Sequence, residues 1–323
     1  ARDVDAKRSV SNFRFFAEQV KEFTAETFEM RDATNHVVYK PGGVAALITP
    51  WNLPLYLLSW KVAPAIGMGN TVVCKPSELT PLTANLLAEV IAETGLPDGV
   101  FNLVHGTGEH AGAPLVAHDD VRLISFTGGT DTGAKVAASA AAGFKKLSLE
   151  LGGKNPLVVM PSADIDNALA GAYWSGFGTA GQRCTSLGNL IVHQDIYDDF
   201  LEKYMQMVRS TSIGDSMRHD DVLYGPMLSE KYATDFLADV SGLEAQGATE
   251  LAGGGRITAD NKPANFQGDP EEGVYLWPHV YSGVTEDMDC FHDEIFGPAI
   301  TIVQARDFDH ALHLANASPY GLS

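Results

Sequence analysis

Val44-Ala45-Ala46-Leu47-Ile48-Thr49-Pro50-Trp51-Asn52-Leu53-Pro54 opens the stretch that decides the fold, and that stretch closes on Thr71-Val72-Val73-Cys74-Lys75. Val44 to Ile48 is a short apolar run, as expected of a strand buried on both faces. A helix carrying Leu57, Leu58 and Val62 follows, and Thr71 to Cys74 is the next apolar run. The same rhythm continues. Leu82 to Glu93 reads as a helix, Val100 to Val104 as a strand and Ala111 to Ala117 as a helix. Leu123 to Phe126 is a strand, Gly133 to Ala142 a helix, and Lys146 to Leu151 closes the series. Strands alternating with helices predict an α/β fold, a parallel sheet with helices on both faces.

Before this series, Arg8 to Phe23 reads as an amphipathic helix with Phe13, Phe16, Val20 and Phe23 on one face. Thr24 to Pro41 reads as a hairpin-like excursion, with strand character at Val37-Val38-Tyr39. A second region starts near Gly152. Its strand candidates are Leu157 to Val159, Asn189 to Val192 and Ala299 to Val303; its helix candidates are Ile165 to Phe177, Tyr197 to Ser210 and Lys231 to Leu243. Gly253 to Gly273 is polar and rich in Gly, Asp and Pro, so a surface loop is expected there. A chain of 323 residues has room for about two domains.

Lys and Arg number 22 against 41 Asp and Glu, a net charge of −19. Such a surface repels nucleic acid and anionic membranes, so neither is an expected partner. The mostly apolar stretch from Val44 to Ile66 holds Pro50, Pro54, Pro64, Asn52 and Lys61, and is not the unbroken run of about 20 residues that a spanning helix needs. Cys74, Cys184 and Cys290 are too sparse for a disulfide framework or a structural zinc, so no metal is expected. No signal peptide opens the chain, and a cytoplasmic location is the expectation.

Several short motifs carry chemistry. Gly106-Thr107-Gly108-Glu109-His110-Ala111-Gly112 has one residue too many for a dinucleotide fingerprint. Phe126-Thr127-Gly128-Gly129-Thr130-Asp131-Thr132-Gly133 joins a strand to a helix whose N-terminus would face an anion. Each cluster alone also fits an ordinary structural turn. Asn52, held between prolines after a strand, can donate to a developing oxyanion or simply stabilise a turn. Lys75-Pro76-Ser77-Glu78 offers a donor and an acceptor for ribose hydroxyls, or an exposed ion pair. Cys184, after the glycine-rich approach from Ser175 and beside Arg183, is a candidate thiolate nucleophile. Cys74 reads as inert core.

Taken in order, these motifs resemble the NAD(P)-dependent aldehyde dehydrogenase superfamily over nearly the whole chain, from about Phe13 to Ser323. The resemblance rests on Pro50 to Pro54, Lys75 to Glu78, Phe126 to Thr130, Glu150-Leu151-Gly152-Gly153-Lys154 and Gly181-Gln182-Arg183-Cys184. Glu294-Ile295-Phe296-Gly297-Pro298 and Asn316 to Ser323 add to it. It implies a Rossmann-like parallel-sheet cofactor domain beside an α/β catalytic domain. On that division, 1–23 is the N-terminal helix of the cofactor domain, 24–41 an oligomerisation hairpin, 42–152 the NAD-binding domain and 153–323 a catalytic domain incomplete at its C-terminus. The resemblance also implies oxidation of an aldehyde to a carboxylate with NAD. Cys184 would be the nucleophile, Asn52 the oxyanion donor, and Glu150 the base that hydrolyses the thioester.

The implied cofactor set is Thr49, Pro50, Trp51, Lys75, Ser77, Glu78, Gly106, Phe126, Thr127, Gly128, Gly129, Thr130, Gly133, Leu151, Glu294 and Phe296. Arg183, Leu53 and Trp174 are candidates on the substrate side, with Tyr56 and Leu57 as further wall residues; each could equally be core, and Arg183 could bind backbone carbonyls instead of a substrate anion. A homodimer or homotetramer of a longer parent is implied, since family members carry more chain before Ala1 and after Ser323. Two departures stand out: Gly129 occupies a position where many members have Ser, and Gly253 to Gly273 is longer than usual. The competing readings are a coenzyme-A-acylating dehydrogenase, which has no need of Glu150, and a non-catalytic structural relative, which has no need of Cys184, Glu150 and Asn52 together.

Overall fold

Residues 2–323 are described by the structure, a computed structural model. The chain divides into two units, Ala1–Leu151 and Gly152–Ser323. The fold of the first follows from β3 (Val44–Ile48), which alternates its side chains between two apolar layers. Ala46 and Ile48 pack with Val116, Ile124, Phe126 and Val136. Ala45 and Leu47 pack with Leu58, Val62, Val72, Cys74 and Ala84 on the other face. A strand covered on both faces needs no polar alternation, which is why the run reads as continuous.

Around β3 the parallel sheet has the order β5-β4-β3-β6-β7, with β4 at Thr71–Lys75, β5 at Phe101–Leu103, β6 at Val121–Thr127 and β7 at Lys146–Glu150. The connecting helices are α2 (Pro54–Gly67), α3 (Leu82–Glu93), α4 (Ala113–Ala117) and α5 (Thr130–Ala141), with α1 (Lys7–Glu22) packed along α2. Pro54 sits in the first turn of α2, where its missing N–H costs nothing. The next donors of that turn, Leu55 N–H and Tyr56 N–H, are taken by the Asp5 carboxylate at 3.2 and 2.8 Å. Asn12 of α1 donates to Ser59 Oγ at 2.9 Å, which fixes how the two helices meet. The apolar stretch from Val44 is thus split between a strand and a helix. Among the described residues no helix is long and apolar enough to cross a membrane.

The excursion after α1 is a two-stranded antiparallel ribbon, β1 (Glu26–Glu29) with β2 (Thr34–Val37). Val38 and Tyr39 lie beyond its second strand. Phe23 leaves α1 at its C-cap rather than completing the apolar face, and its ring meets Tyr39 edge-on at 4.7 Å.

The second unit holds a five-stranded sheet of order β10-β11-β12-β9-β8. These are β8 (Asn155–Val159), β9 (Leu187–His193), β10 (Thr249–Ala252), β11 (His279–Ser282) and β12 (Ala299–Ala305); only the β10–β11 pair is antiparallel. Helices α6 (Ile165–Phe177), α7 (Tyr197–Arg209), α8 (Glu230–Val240), α9 (Asp289–His292) and α10 (Phe308–Asn316) complete it. Phe177, Tyr204 and Phe200 stack in its core. Asp164 and Asp307 cap α6 and α10 through the backbone N–H groups of Asn167 and His310. Residues 253–273 form a loop with one short helical turn at Pro270–Glu272, yet Ile257 within them is fully buried.

Candidate active site

In the first unit the sheet register brings the sequence candidates to one edge. Ile48 pairs with Lys75 and with Phe126, and Thr127 with Glu150. Thr49 N–H donates to Lys75 O at 3.2 Å, and Gly128 N–H to Glu150 O at 3.1 Å. Thr49, Lys75, Phe126, Thr127 and Glu150 therefore share the carboxyl ends of parallel strands, where open α/β sheets bind their ligands. The Pro50-Trp51-Asn52 turn is tied down by Thr80 Oγ1, which donates to Trp51 O at 3.2 Å. Leu53 is the N-cap of α2, and both it and Asn52 are half-buried.

Lys75 Nζ lies 3.1 Å from Glu78 Oε2, with the Lys75 side chain 4% exposed and that of Glu78 44% exposed. This is a buried ammonium aimed at an accessible carboxylate, not an exposed ion pair. Burial opposes ionisation of Glu78, but a backbone N–H and Lys75 outweigh it and hold the carboxyl below its ordinary range. Ser77 is buried beside them and accepts from Leu79 N–H.

Both glycine clusters line one cavity of about 480 Å³, bordered by Gly108, Gly112, Thr132, Lys135 and Val136. Gly106 has a φ of +144°, and a Cβ there would meet Ala111 Cβ at 2.8 Å. A Cβ on Gly128 would meet the Phe126 ring at 2.5 Å, and one on Gly133 would strike Leu151 Cδ2. Gly129 is the N-cap of α5, which Thr130 opens; it supplies no side-chain cap, and nothing lies within 4 Å of its Cβ position.

A second cavity of the same unit, about 530 Å³, is lined by Trp60, Lys61, Ser125, Ser148 and Glu150. Lys61 Nζ donates to Ser125 Oγ at 2.8 Å. Burial lowers the Lys61 pKa to about 8, with the Glu150 charge opposing that shift. In the sequence Lys61 was only a charge interrupting an apolar stretch, and nothing there announced its partners on β6 and β7.

In the second unit the nucleophile candidate sits on a strained loop. Thr179, Ala180 and Gly181 adopt φ of +58°, +53° and +65° in succession, a conformation costly for the first two. A Cβ on Gly181 would strike Gly297 O, so the Gly181-to-Cys184 and Glu294-to-Pro298 motifs abut. Gln182 Oε1 accepts from Leu228 N–H at 3.0 Å. Arg183 donates to Trp174 O at 3.3 Å and Ser175 O at 3.1 Å, and its guanidinium lies 4.2 Å from the centre of the Trp174 ring. Arg183 thus makes bonds to backbone carbonyls through Nη2. Trp174 is 55% exposed, so it is not core.

Cys184 is half-buried, whereas Cys74 and Cys290 are buried; burial raises the pKa of both of those thiols. Glu294 accepts from Gly153 N–H at 3.2 Å. Burial raises the Glu294 pKa against the pull of that N–H and of Lys154. Lys154 is itself buried, and desolvation lowers its pKa to about 8. Phe296 is half-buried, two residues on.

The "Aldehyde dehydrogenase family" model matches residues 1–323. The chain belongs to the aldehyde dehydrogenase family. It is 40% identical over 329 residues to the 2-hydroxymuconic semialdehyde dehydrogenase of a Pseudomonas species, covering 100% of this chain and 66% of that protein. It is 38% identical over 326 residues to human 2-aminomuconic semialdehyde dehydrogenase, covering 100% of this chain and 66% of the relative. A crystal structure of betaine aldehyde dehydrogenase from Staphylococcus aureus in complex with NAD+ superposes with a TM-score of 0.92 at 34% identity, covering 98% of this chain and 62% of that one. The chain thus spans just under two thirds of the length of the curated aldehyde dehydrogenases it matches.

Proposed function

We propose that this chain is the cofactor-binding and nucleophile-bearing part of an enzyme that oxidises an aldehyde to a carboxylate with NAD+. The observation that carries the reading is Cys184. It is the one thiol of the three that is not buried, and it follows a left-handed run, Thr179 to Gly181, that abuts Gly297.

The residues of the first unit fit a dinucleotide. Gly128 and Gly129 leave the first turn of α5 open to a pyrophosphate, whose charge suits the N–H groups there. Lys75, Ser77 and Glu78 are proposed to hold the adenosine ribose, and Thr49, Pro50, Trp51, Gly106, Phe126, Thr127, Thr130, Gly133 and Leu151 to shape its bed. Glu294 would take the nicotinamide ribose, and Phe296 would pack near the ring. When bound, the nicotinamide accepts a hydride.

The chain's own residues do the rest. The Cys184 thiolate attacks the aldehyde carbon, forming a C–S bond and leaving an alkoxide on oxygen. Asn52 Nδ2 and the Cys184 backbone N–H donate to that oxygen; each such donor is worth roughly a hundredfold in rate or more. Collapse of the alkoxide expels the hydride and leaves a thioester on Cys184. Glu150 takes a proton from water, which attacks the thioester and returns the thiolate. Leu53 and Trp174 are proposed to wall the aldehyde. Arg183 supports the loop through its carbonyl bonds. In the full-length protein the exposed β1–β2 ribbon would serve assembly between copies, and a cytoplasmic location would suit the thiol.

The test is NADH absorbance with a panel of aldehydes, run on the full-length protein with and without coenzyme A. Turnover independent of coenzyme A supports hydrolysis; an absolute need for it would favour the acyl-transfer reading, which Glu150 argues against.

NAD+ is expected to be preferred over NADP+ by at least about tenfold in kcat/KM, because the ionised Glu78 would face a 2′-phosphate at short range. Glu78→Ala should narrow that preference, and equal kcat/KM values in the parent would contradict it. Gly129→Ser should add an N-cap side chain to α5 and one donor to the pyrophosphate. Thermal denaturation should show a gain of about 0.3 kcal/mol, and titration a roughly fivefold lower Kd for NAD+. Weaker binding would mean that the pyrophosphate lies elsewhere.

A further inference from the structure

Asn155, the first residue of β8, is 5% exposed. Its Nδ2 donates to Cys184 O at 2.7 Å and to Ser186 O at 2.6 Å, so a single amide spans the nucleophile and the residue two beyond it. Among the described residues its buried Oδ1 has no hydrogen-bond partner, and the two donated bonds orient the amide. Ser186 N–H donates to Arg183 O at 3.0 Å and closes a turn around Cys184 from the other direction. The residues leading into β8 come so near that a Cβ on Gly153 would lie 2.6 Å from Cys184 O. An isolated Asn can satisfy itself with water. This one is withdrawn from solvent and given to two carbonyls of the segment that carries Cys184.

Resting on the reading of Cys184 as nucleophile, we propose that Asn155 is a positioning residue for that nucleophile. It touches neither substrate nor cofactor in this scheme. By fixing the Cys184 carbonyl it sets the backbone from which Sγ projects. Asn155→Asp keeps the shape but sets a carboxylate against two carbonyl oxygens, while Asn155→Ala removes the tie.

The experiment uses both variants of the full-length protein. It measures the rate of Cys184 alkylation by iodoacetamide, followed on the Cys184 peptide, together with the rate of the first NADH turnover, the Kd for NAD+ and the melting temperature. Misplacement of a reacting group by about 1 Å costs roughly a hundredfold. Alkylation and first-turnover rates are therefore expected to fall about 10- to 100-fold, with the Kd for NAD+ within about twofold of the parent. Rates within about twofold of the parent would overturn the proposal. Variants that lose folding or NAD+ binding together with reactivity would make Asn155 an ordinary structural residue and overturn it as well. Undiminished turnover in Cys184→Ala would remove the nucleophile reading itself. That result is distinguishable, because alkylation at the Cys184 peptide is followed without any aldehyde turning over.

Discussion

Cys184→Ala is expected to abolish aldehyde oxidation, with a loss in kcat on the order of 10⁴-fold or more, since every later step uses the bond that Cys184 forms. The Kd for NAD+ should stay near the parental value, because none of the proposed cofactor groups changes. Cys74→Ala and Cys290→Ala should keep most activity. Cys74 is fully buried in the layer with Leu58 and Val72, and Cys290 is buried in the second unit's core. Their substitution is a matter of packing, expected to cost about 1 kcal/mol of stability, read as a lowered melting temperature. Turnover by Cys184→Ala near the parental rate would end the covalent mechanism.

Glu150→Gln is expected to separate the two halves of the reaction. The substitution keeps size and hydrogen bonding but removes the basic oxygen. Hydride transfer should survive, because Cys184 and Asn52 are untouched, whereas thioester hydrolysis should slow by roughly 10²- to 10⁴-fold. Rapid mixing should then show a burst of NADH near one per site, followed by very slow turnover. The glycines after Glu150 matter to this expectation. Gly152 and Gly153 leave the segment after Leu151 without side-chain bulk. Loss of the burst itself would mean that Glu150 acts earlier, for instance on the Cys184 thiol. Unchanged steady turnover would remove Glu150 from the mechanism.

The sheet of the first unit was legible because strands such as Val44–Ile48 and Thr71–Lys75 are short, apolar and flanked by helices. Val44–Ile48 and Thr71–Lys75 carry the signal of burial on both faces, and the sheet register then places Lys75 and Glu150 at the carboxyl ends of their strands. Strands β10 and β11 gave no such signal. Thr249-Glu250-Leu251-Ala252 and His279-Val280-Tyr281-Ser282 mix polar and apolar residues, and their pairing across a long irregular segment is a tertiary choice.

The same limit applies to the site. Cys184 and Glu150 stand in local motifs, whereas Asn155 and Lys61 bond to partners remote in sequence. Lys61 looks like a polar interruption until Ser125 is seen at 2.8 Å. Asn155 looks like a strand-start residue until the carbonyls of Cys184 and Ser186 are seen on its amide. The left-handed backbone at Thr179 and Ala180 is likewise unreadable, since neither residue type favours it.

The most direct test of the account is the mass of the protein after Glu150→Gln has been mixed with an aldehyde and NAD+ and quenched within the burst. An increase equal to the acyl group, mapped to the peptide that contains Cys184, is the expected result. NADH formed in the burst with no acyl group on Cys184, or with the group on Cys74 or Cys290, would contradict it.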